Sequence, residues 1–252
     1  MKKKVSIITP LYNSERYVSE AINSVLNQSY KKWEMILVDD CSSDKSVSIV
    51  EKFQEKDERI QLLKNKSNIG SGLSRNRAID AASGDIIAFL DSDDVWHPEK
   101  LSKHLDFMEK NSSVFSHTSY GFINEEGQII KSTYHVGSEP VDYKKLLKKT
   151  EIACLTAMFD VHKLGKMHMP SLPKAQDYAL WLDILKLGVV SDPFDEELAF
   201  YRLHSASTTS KKWKHILGHW SFLRNREKLS LIASTYYTIT WAIGGFVKYY
   251  LK

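Results

Sequence analysis

The stretch FLDSDDVWHP, Phe89 to Pro98, sets three carboxylates, Asp91, Asp93 and Asp94, directly behind an apolar run. Like charges this close repel one another unless a cation neutralises them. Oxygen-only donors favour Mg2+ or Mn2+ over zinc, and such ions commonly bind through one or two carboxylates plus substrate phosphates. Asp91 and Asp93, one residue apart, can face a single point where the chain bends. The chemistry expected of them is the binding of a metal-bound nucleotide phosphate. Asp94 and Asp44, taken singly, also read as turn or cap residues.

Further groups of the same kind recur. Asp39 and Asp40 close another apolar run. Arg202 and His204, in YRLHSAS, alternate on one face of an extended chain, from which both can reach a diphosphate or a metal. Asp177 stands at the head of the helical pattern AQDYALWLDILKLG. A carboxylate there can take the proton of an attacking hydroxyl within hydrogen-bond reach, and its structural alternative is a helix cap. The loop NIGSGLSRNR lacks dinucleotide or Walker spacing, and is read as positioning Arg75.

These residues need elements to hold them. Val5 to Thr9, Trp33 to Val38, Ile60 to Leu63 and Ile86 to Leu90 read as strands, the first ended by Pro10 and suited to full burial. Helical periodicity separates them. Asn13 and Ser14 are expected to cap the first helix, the second starts from Ser43, and the third runs through Leu73, Ala78, Ile79 and Ala82 to a stop at Gly84. Alternation of this kind predicts a doubly wound parallel sheet, whose ligands bind at strand carboxyl ends. Thr9 to Asn13, Asp39 to Asp44 and Asp91 to Asp94 therefore share one rim. Pro98 suits a helix first turn. Beyond it, strands around Phe115 to Ile123 and Gln128 to Tyr134 predict a mixed half, and a later helix carries Leu180, Ile184 and Leu187 inward and stops at Gly188.

Of 252 residues, 42% are hydrophobic and 26% charged, which supports a full core and excludes disorder as the main state. The formal charge of +4 is too mild to argue for nucleic acid. Two cysteines without CxxC spacing, Cys41 and Cys154, point to no disulfide framework or zinc site and fit a reducing cytosol. The apolar run of MKKKVSIITP is too short for a signal peptide, and reads as the first strand.

VSIITPLYN, MILVDDCSSD, LSRNRAIDAASGDIIAFLDSDD and QDYALWL, in that order, resemble the bacterial family 2 glycosyltransferases of the GT-A fold, from Val5 to about Ser205. The resemblance implies an α/β fold, a Rossmann-like, mostly parallel sheet with a mixed second half. It places Thr9, Pro10 and Tyr12 along the nucleotide base, with Asp39 and Asp40 hydrogen-bonding it. Arg75 approaches the nucleotide, Asp91 and Ser92 lie at the ribose side, Asp93 binds the metal bridging both phosphates, and Asp177 is the general base. His204 is a second candidate metal ligand and Arg202 a diphosphate contact. The reaction implied is inverting, metal-dependent transfer from a nucleotide sugar, a UDP-sugar first, to a lipid-diphosphate-linked saccharide in O-antigen, capsule or teichuronic acid assembly. The Q-x-x-R-W pattern of processive synthases is missing, which favours one sugar per encounter. Two rival readings are a sugar-nucleotide nucleotidyltransferase, whose glycine-rich signature TPLYNSERY lacks, and a non-catalytic nucleotide-binding protein at the membrane.

No linker interrupts the chain, so the expected division is a catalytic domain over 1–208, with a nucleotide half 1–98 and an acceptor half 99–208, and a helical tail over 209–252. In KKWKHILGHWSFLRNREK, Trp213, Ile216, Leu217, Trp220 and Leu223 share a helical face flanked by Lys211, Lys212, Lys214, Arg224 and Arg226, the composition of a helix lying on anionic lipid. The following apolar segment is marginal for a span. Peripheral attachment to the cytoplasmic face of the inner membrane is the expectation, with packing onto the catalytic domain as its alternative.

Overall fold

The computed structural model describes residues 2–204 and 212–250, side chains excepted at 212–214 and 245–250. Four strands form its first half, β1 (Val5–Leu11), β2 (Trp33–Asp39), β3 (Ile60–Lys64) and β4 (Ile86–Phe89), joined by helices α1 (Val18–Leu26), α2 (Ser46–Gln54) and α3 (Ser71–Ala81). They pair in parallel in the order β3-β2-β1-β4. Helices on both faces leave β1, β2 and β4 no wet side, so their sequences are continuous apolar runs.

The second half follows as β5 (Val95–Trp96), α4 (Lys100–Lys110), β6 (Phe115–Ile123), β7 (Ile129–Tyr134), α5 (Tyr143–Lys148), a 3-10 turn at Cys154–Thr156, β8 (Met158–Asp160), α6 (Val161–Leu164), α7 (Gln176–Lys186) and β9 (Asp192–Arg202). Its strands extend the sheet from β4 as β8-β6-β9-β5, with β7 beside β6. Only β6 and β9 pair in parallel here. Helices α8 (Lys212–Asn225) and α9 (Leu231–Tyr250) complete the described chain.

Successive residues of one strand serve opposite faces. Val5 and Ile7 of β1, Met35 and Leu37 of β2 pack with Ala21, Val50 and Leu101 of α1, α2 and α4. Ile8, Ile36 and Val38 pack on the other side with Ile79 of α3, Leu146 of α5, Trp181 of α7 and Leu223 of α8. Trp181 sits edge-on to Phe89 with ring centres 5.4 Å apart. Inside the fold, the fully buried Lys100 amine lies 3.0 Å from His104 Nδ1 and 3.2 Å from the Thr156 carbonyl. The Ser116 hydroxyl donates to the Asp192 carbonyl at 2.8 Å, so it accepts from His104 Nε2–H and leaves Nδ1 to receive the Lys100 proton. Burial without a carboxylate pulls the Lys100 pKa down to about 7.

Several local expectations fail for identifiable reasons. Helix α1 starts at Val18 because Asn13, in the left-handed region at φ 47°, gives its side chain to the Ser43 N–H at 2.8 Å. The Ser14 carbonyl, not its side chain, accepts from Tyr17 and Val18 at 3.0 and 2.9 Å. Helix α2 starts at Ser46 rather than Ser43. Gly84 is no helix stop: a Cβ there would stand 2.7 Å from the Ser6 backbone nitrogen, so its role is close passage against β1. Leu187, given a core position by periodicity, is 59% exposed. Pro98 falls in the turn before α4, outside the helix. Gly188, at φ 84°, ends α7 as expected.

The helical tail packs differently from its sequence pattern. Leu223 is fully buried among core residues, whereas Leu217 on the same helix is 66% exposed. Phe222, Leu229 and Tyr237 also pack against the core cluster, so the face expected to lie on lipid is split between core and solvent. Of its flanking cations, Arg226 pairs with Asp183 and Glu227, and Lys211 and the side chains of Lys212 and Lys214 lie outside the described residues, as does the side chain of Trp213.

Candidate active site

The carboxyl ends of β1, β2 and β4 open on a cavity of about 490 Å3 whose wall includes Pro10, Tyr12, Asp40, Arg75, Asp91, Ser92 and Asp93. A larger hollow, about 750 Å3, lies at the opposite strand ends, beside Lys2, Lys3, Lys31 and Lys32. Strand polarity and the acid cluster both mark the smaller one as the site.

The loops of this rim are tied to one another. The Ser14 hydroxyl lies 2.8 Å from that of Ser92, joining the segment after β1 to the acidic turn. Ser14 N–H donates to Ser46 Oγ at 2.7 Å, and Asp44, whose carboxylate receives the N–H of Glu15 and Ser46 at 3.0 and 2.9 Å, is the turn residue anticipated. Asp40 is 3% exposed and accepts from the backbone of Ile69 and Gly70 at 2.8 and 2.7 Å. It thereby fixes the entry to α3. Gly70 takes φ 87°, where a side chain would be strained, and a Cβ on Gly72 would stand 2.8 Å from Gln176 Cγ. The glycine loop therefore sets the start of α3 and lets α7 approach it, which brings Asp177 into the field of Arg75.

Three acids coexist because each finds a separate partner. Asp91 pairs with Arg75, whose side chain is 9% exposed. Burial is the largest single influence and works against that cation, but the Asp91 charge and hydrogen bond, with Cys154 and the Asp177 charge, together hold the Arg75 pKa above its ordinary value. The Arg75 Nε donor has no partner among the described residues. Asp93 lies 2.7 Å from His204 Nε2, both about one third exposed. Asp94, only 2% exposed, accepts the Arg202 N–H at 2.9 Å. Burial, then the Asp93 and Asp91 charges, push its pKa well up.

Asp177 has no side-chain hydrogen bond to another side chain among the described residues. Desolvation raises its pKa, against the lowering effects of Arg75 and the Tyr178 N–H, while the Asp91 charge adds to the rise. Its helix is preceded by Ala175 in the left-handed region, and Asp177 sits inside the first turn rather than at the cap.

Thr9, Asp39 and Arg202 fall elsewhere than expected. Thr9 is fully buried, its hydroxyl without a partner among the described residues, and does not reach the cavity wall. Asp39, 4% exposed, turns back to the Ser42 N–H at 3.2 Å. The Arg202 side chain is entirely buried and its donors are used within the protein. Nε reaches the Asp93 carbonyl at 2.6 Å, one terminal nitrogen the Asn124 carbonyl at 2.9 Å and the other Glu20 at 2.6 Å. With Tyr17 beneath it at 4.9 Å, Arg202 clamps the acidic turn instead of facing a diphosphate. Tyr17 also lies 5.2 Å from the His204 ring, a placement not anticipated from the sequence. Cys154 is the other omission: it is buried near Arg75, Asp91 and Asp177, which desolvation and these acids answer by raising its pKa. A lone cysteine in sequence carries no signal of that.

Among the described residues no group of three or more His, Cys, Asp or Glu is arranged around one point. Asp93 and His204 offer one oxygen and one nitrogen donor. That set would suit a Mn2+ or Mg2+ ion, with the remaining positions left to phosphate oxygens and water.

The glycosyl transferase family 2 profile matches residues 6–163. TuaG of Bacillus subtilis, a glycosyltransferase named for teichuronic acid biosynthesis, is 40% identical over 96% of this chain and 95% of its own. WfgD of Escherichia coli, named a UDP-Glc:alpha-D-GlcNAc-diphosphoundecaprenol beta-1,3-glucosyltransferase, is 38% identical over 97% of this chain and 94% of its own. Among solved structures, S. aureus TarS 1-349 in complex with UDP superposes with a TM-score of 0.70 at 22% identity, covering 98% of this chain and 72% of that fragment. The mannosyltransferase PcManGT of Pyrobaculum calidifontis, in complex with GDP-Man and Mn2+, gives 0.69 at 15% identity over 99% and 76%. The expected GT-A architecture, a mostly parallel sheet with a mixed second half and C-terminal helices, is the one found.

Proposed function

Because the chain belongs to glycosyltransferase family 2, we propose that it transfers one sugar from a UDP-sugar to a lipid-diphosphate-linked saccharide in bacterial surface polysaccharide synthesis, with inversion at the anomeric carbon. The observation that carries the reading is the pair of side-chain couples, Arg75 with Asp91 and Asp93 with His204, of which Arg75, Asp91 and Asp93 line one cavity, with Asp177 within the electrostatic reach of Arg75 and Asp91. Support for the donor comes from TarS, solved with UDP and with UDP-GlcNAc, and for the acceptor from the name of WfgD.

In this mechanism the base rests along Pro10 and Tyr12, the ribose side meets Asp91 and Ser92, and Asp40 acts indirectly by holding the loop that carries Arg75. Asp93 and His204 are the residues that would hold Mn2+ or Mg2+, which supplies Lewis-acid stabilisation of the departing diphosphate. Asp177 accepts the proton of the acceptor hydroxyl as it attacks the face opposite the leaving group. Its raised pKa makes it a stronger base than an ordinary aspartate. On this reading attachment is peripheral, at the cytoplasmic face where the lipid-linked acceptor is presented; no helix among the described residues is long and apolar enough to cross a membrane.

The test is a transfer assay with a panel of UDP-sugars and lipid-diphosphate acceptors, with and without Mn2+. Turnover lost in Asp177→Asn with UDP binding retained supports the assignment. No turnover with any pair, together with UDP binding indifferent to both Mn2+ and Asp93→Ala, overturns it.

A further inference from the structure

Helix α9 is built inside out. Ser234 and Thr238 face the protein, 0% and 5% exposed, and the Thr238 hydroxyl has no partner among the described residues. The outward face carries Ile232, Tyr236, Ile239 and Ile243, exposed by 83%, 50%, 54% and 59%. These four follow a spacing of four, three and four residues, so they form one continuous stripe, about 16 Å long at the helical rise. A helix packed on a domain in water presents the reverse pattern.

Lysines stand at both ends of the stripe. Lys228 is exposed in the turn before α9. At the far end α5 packs against α9: Trp241 Nε1 donates to Thr150 Oγ1 at 2.8 Å, and the Lys148 carbonyl lies 3.8 Å from the Cβ position of Gly244. Lys144 and Lys148 on α5 are exposed and make no ion pair among the described residues, while Lys149 pairs with Glu151 at 3.4 Å. From Lys228 to Lys252 the sequence contains no acidic residue.

We propose that α9 docks the protein on an anionic lipid leaflet, Ile232, Tyr236, Ile239 and Ile243 entering the headgroup boundary while Lys144, Lys148 and Lys228 meet the lipid charge. This rests on the peripheral attachment read above and moves it from α8, whose Leu223 is spent on the core, to the helix that follows. Charge selects lipid over a second copy of the chain. Antiparallel pairing of two α9 stripes sets Lys228 against the partner's α5 lysines, and parallel pairing sets each lysine group against its equal; both orientations repel. An apolar stripe flanked by cations and an interfacial tyrosine suits the boundary of a negatively charged bilayer.

The experiment is co-sedimentation of the full chain with phosphatidylcholine vesicles, with and without phosphatidylglycerol, alongside UDP binding and transfer to a water-soluble acceptor analogue. Ile232→Ser/Ile239→Ser/Ile243→Ser, at exposed positions, is expected to lower partitioning about a hundredfold with its circular dichroism, UDP binding and transfer to the soluble analogue unchanged. Lys144→Gln/Lys148→Gln is expected to lose only the preference for phosphatidylglycerol. A serine variant that partitions like wild type overturns the proposal, as does a wild-type dimer that the serine variant converts to monomer. Vesicle binding retained by a chain that transfers no sugar refutes the transferase reading and leaves the docking face standing.

Discussion

Replacing Lys100 by methionine isolates the cost of a buried amine that has no carboxylate. Burial lowers its pKa from 10.5 to about 7. With the folded value below the unfolded one, the native state binds fewer protons between them, so stability rises as pH climbs through that window and is lowest below it. At neutral pH the shift corresponds to about 4 kcal/mol of destabilisation relative to a neutral side chain, at about 1.4 kcal/mol per unit. Methionine keeps the apolar stem over Trp96 but leaves His104 Nδ1 and the Thr156 carbonyl without their donor. Losing those two bonds costs about 2 kcal/mol together. Lys100→Met is therefore expected to be more stable than wild type by about 2 kcal/mol near pH 7. By about pH 9 the wild type recovers roughly 2 kcal/mol and the two converge. Urea unfolding of both chains across this range measures the gap directly. A gap that does not change with pH refutes the buried neutral amine, and a wild type more stable than the variant at pH 7 refutes the ordering of the two terms.

Other outcomes follow from the site. The raised pKa of Asp177 moves the acid limb of kcat/KM above the ordinary aspartate range, because the base works only when deprotonated; a pH–rate profile of wild type, with Asp177→Asn at least about a thousandfold slower, checks it. Asp93→Ala and His204→Ala should each weaken Mn2+-dependent UDP binding about tenfold or more in calorimetry without changing metal-free binding. Arg75→Met leaves Asp91 unpaired at the cavity, with an expected stability loss of about 2 kcal/mol in denaturant unfolding and weaker UDP binding. Gly72→Ala presses on Gln176, and should lower kcat through Asp177 while UDP affinity holds.

The parallel half was readable because burial on both faces writes itself into sequence as unbroken apolar runs, and β1, β2 and β4 are such runs. The same continuity hides direction. With no polar face to set against an apolar one, nothing in VSIITP distinguishes Thr9, which points inside, from Pro10, which lines the cavity. Strands β5 and β8 span two and three residues and owe their existence to partners, so local propensity could not announce them. Arg202 carried the look of a ligand because its partners, Glu20 and the Asn124 carbonyl, are remote in sequence. In the tail, helical periodicity favoured α8, but tertiary packing turned Leu223 inward and left the isoleucines of α9 facing out.

The Arg202 clamp also dictates when the pocket can exist during synthesis. Its contact with Glu20 spans 182 residues, and it grips a turn laid down more than a hundred residues earlier. A nascent chain can pair β1 through β4 as soon as they leave the ribosome, yet its acidic turn stays without its anchor until β9 has emerged. The parallel half is thus translated before the residues that finish it: a ribosome-stalled chain ending before Asp192 would carry every acid of the turn with neither Arg202 nor His204 to hold it.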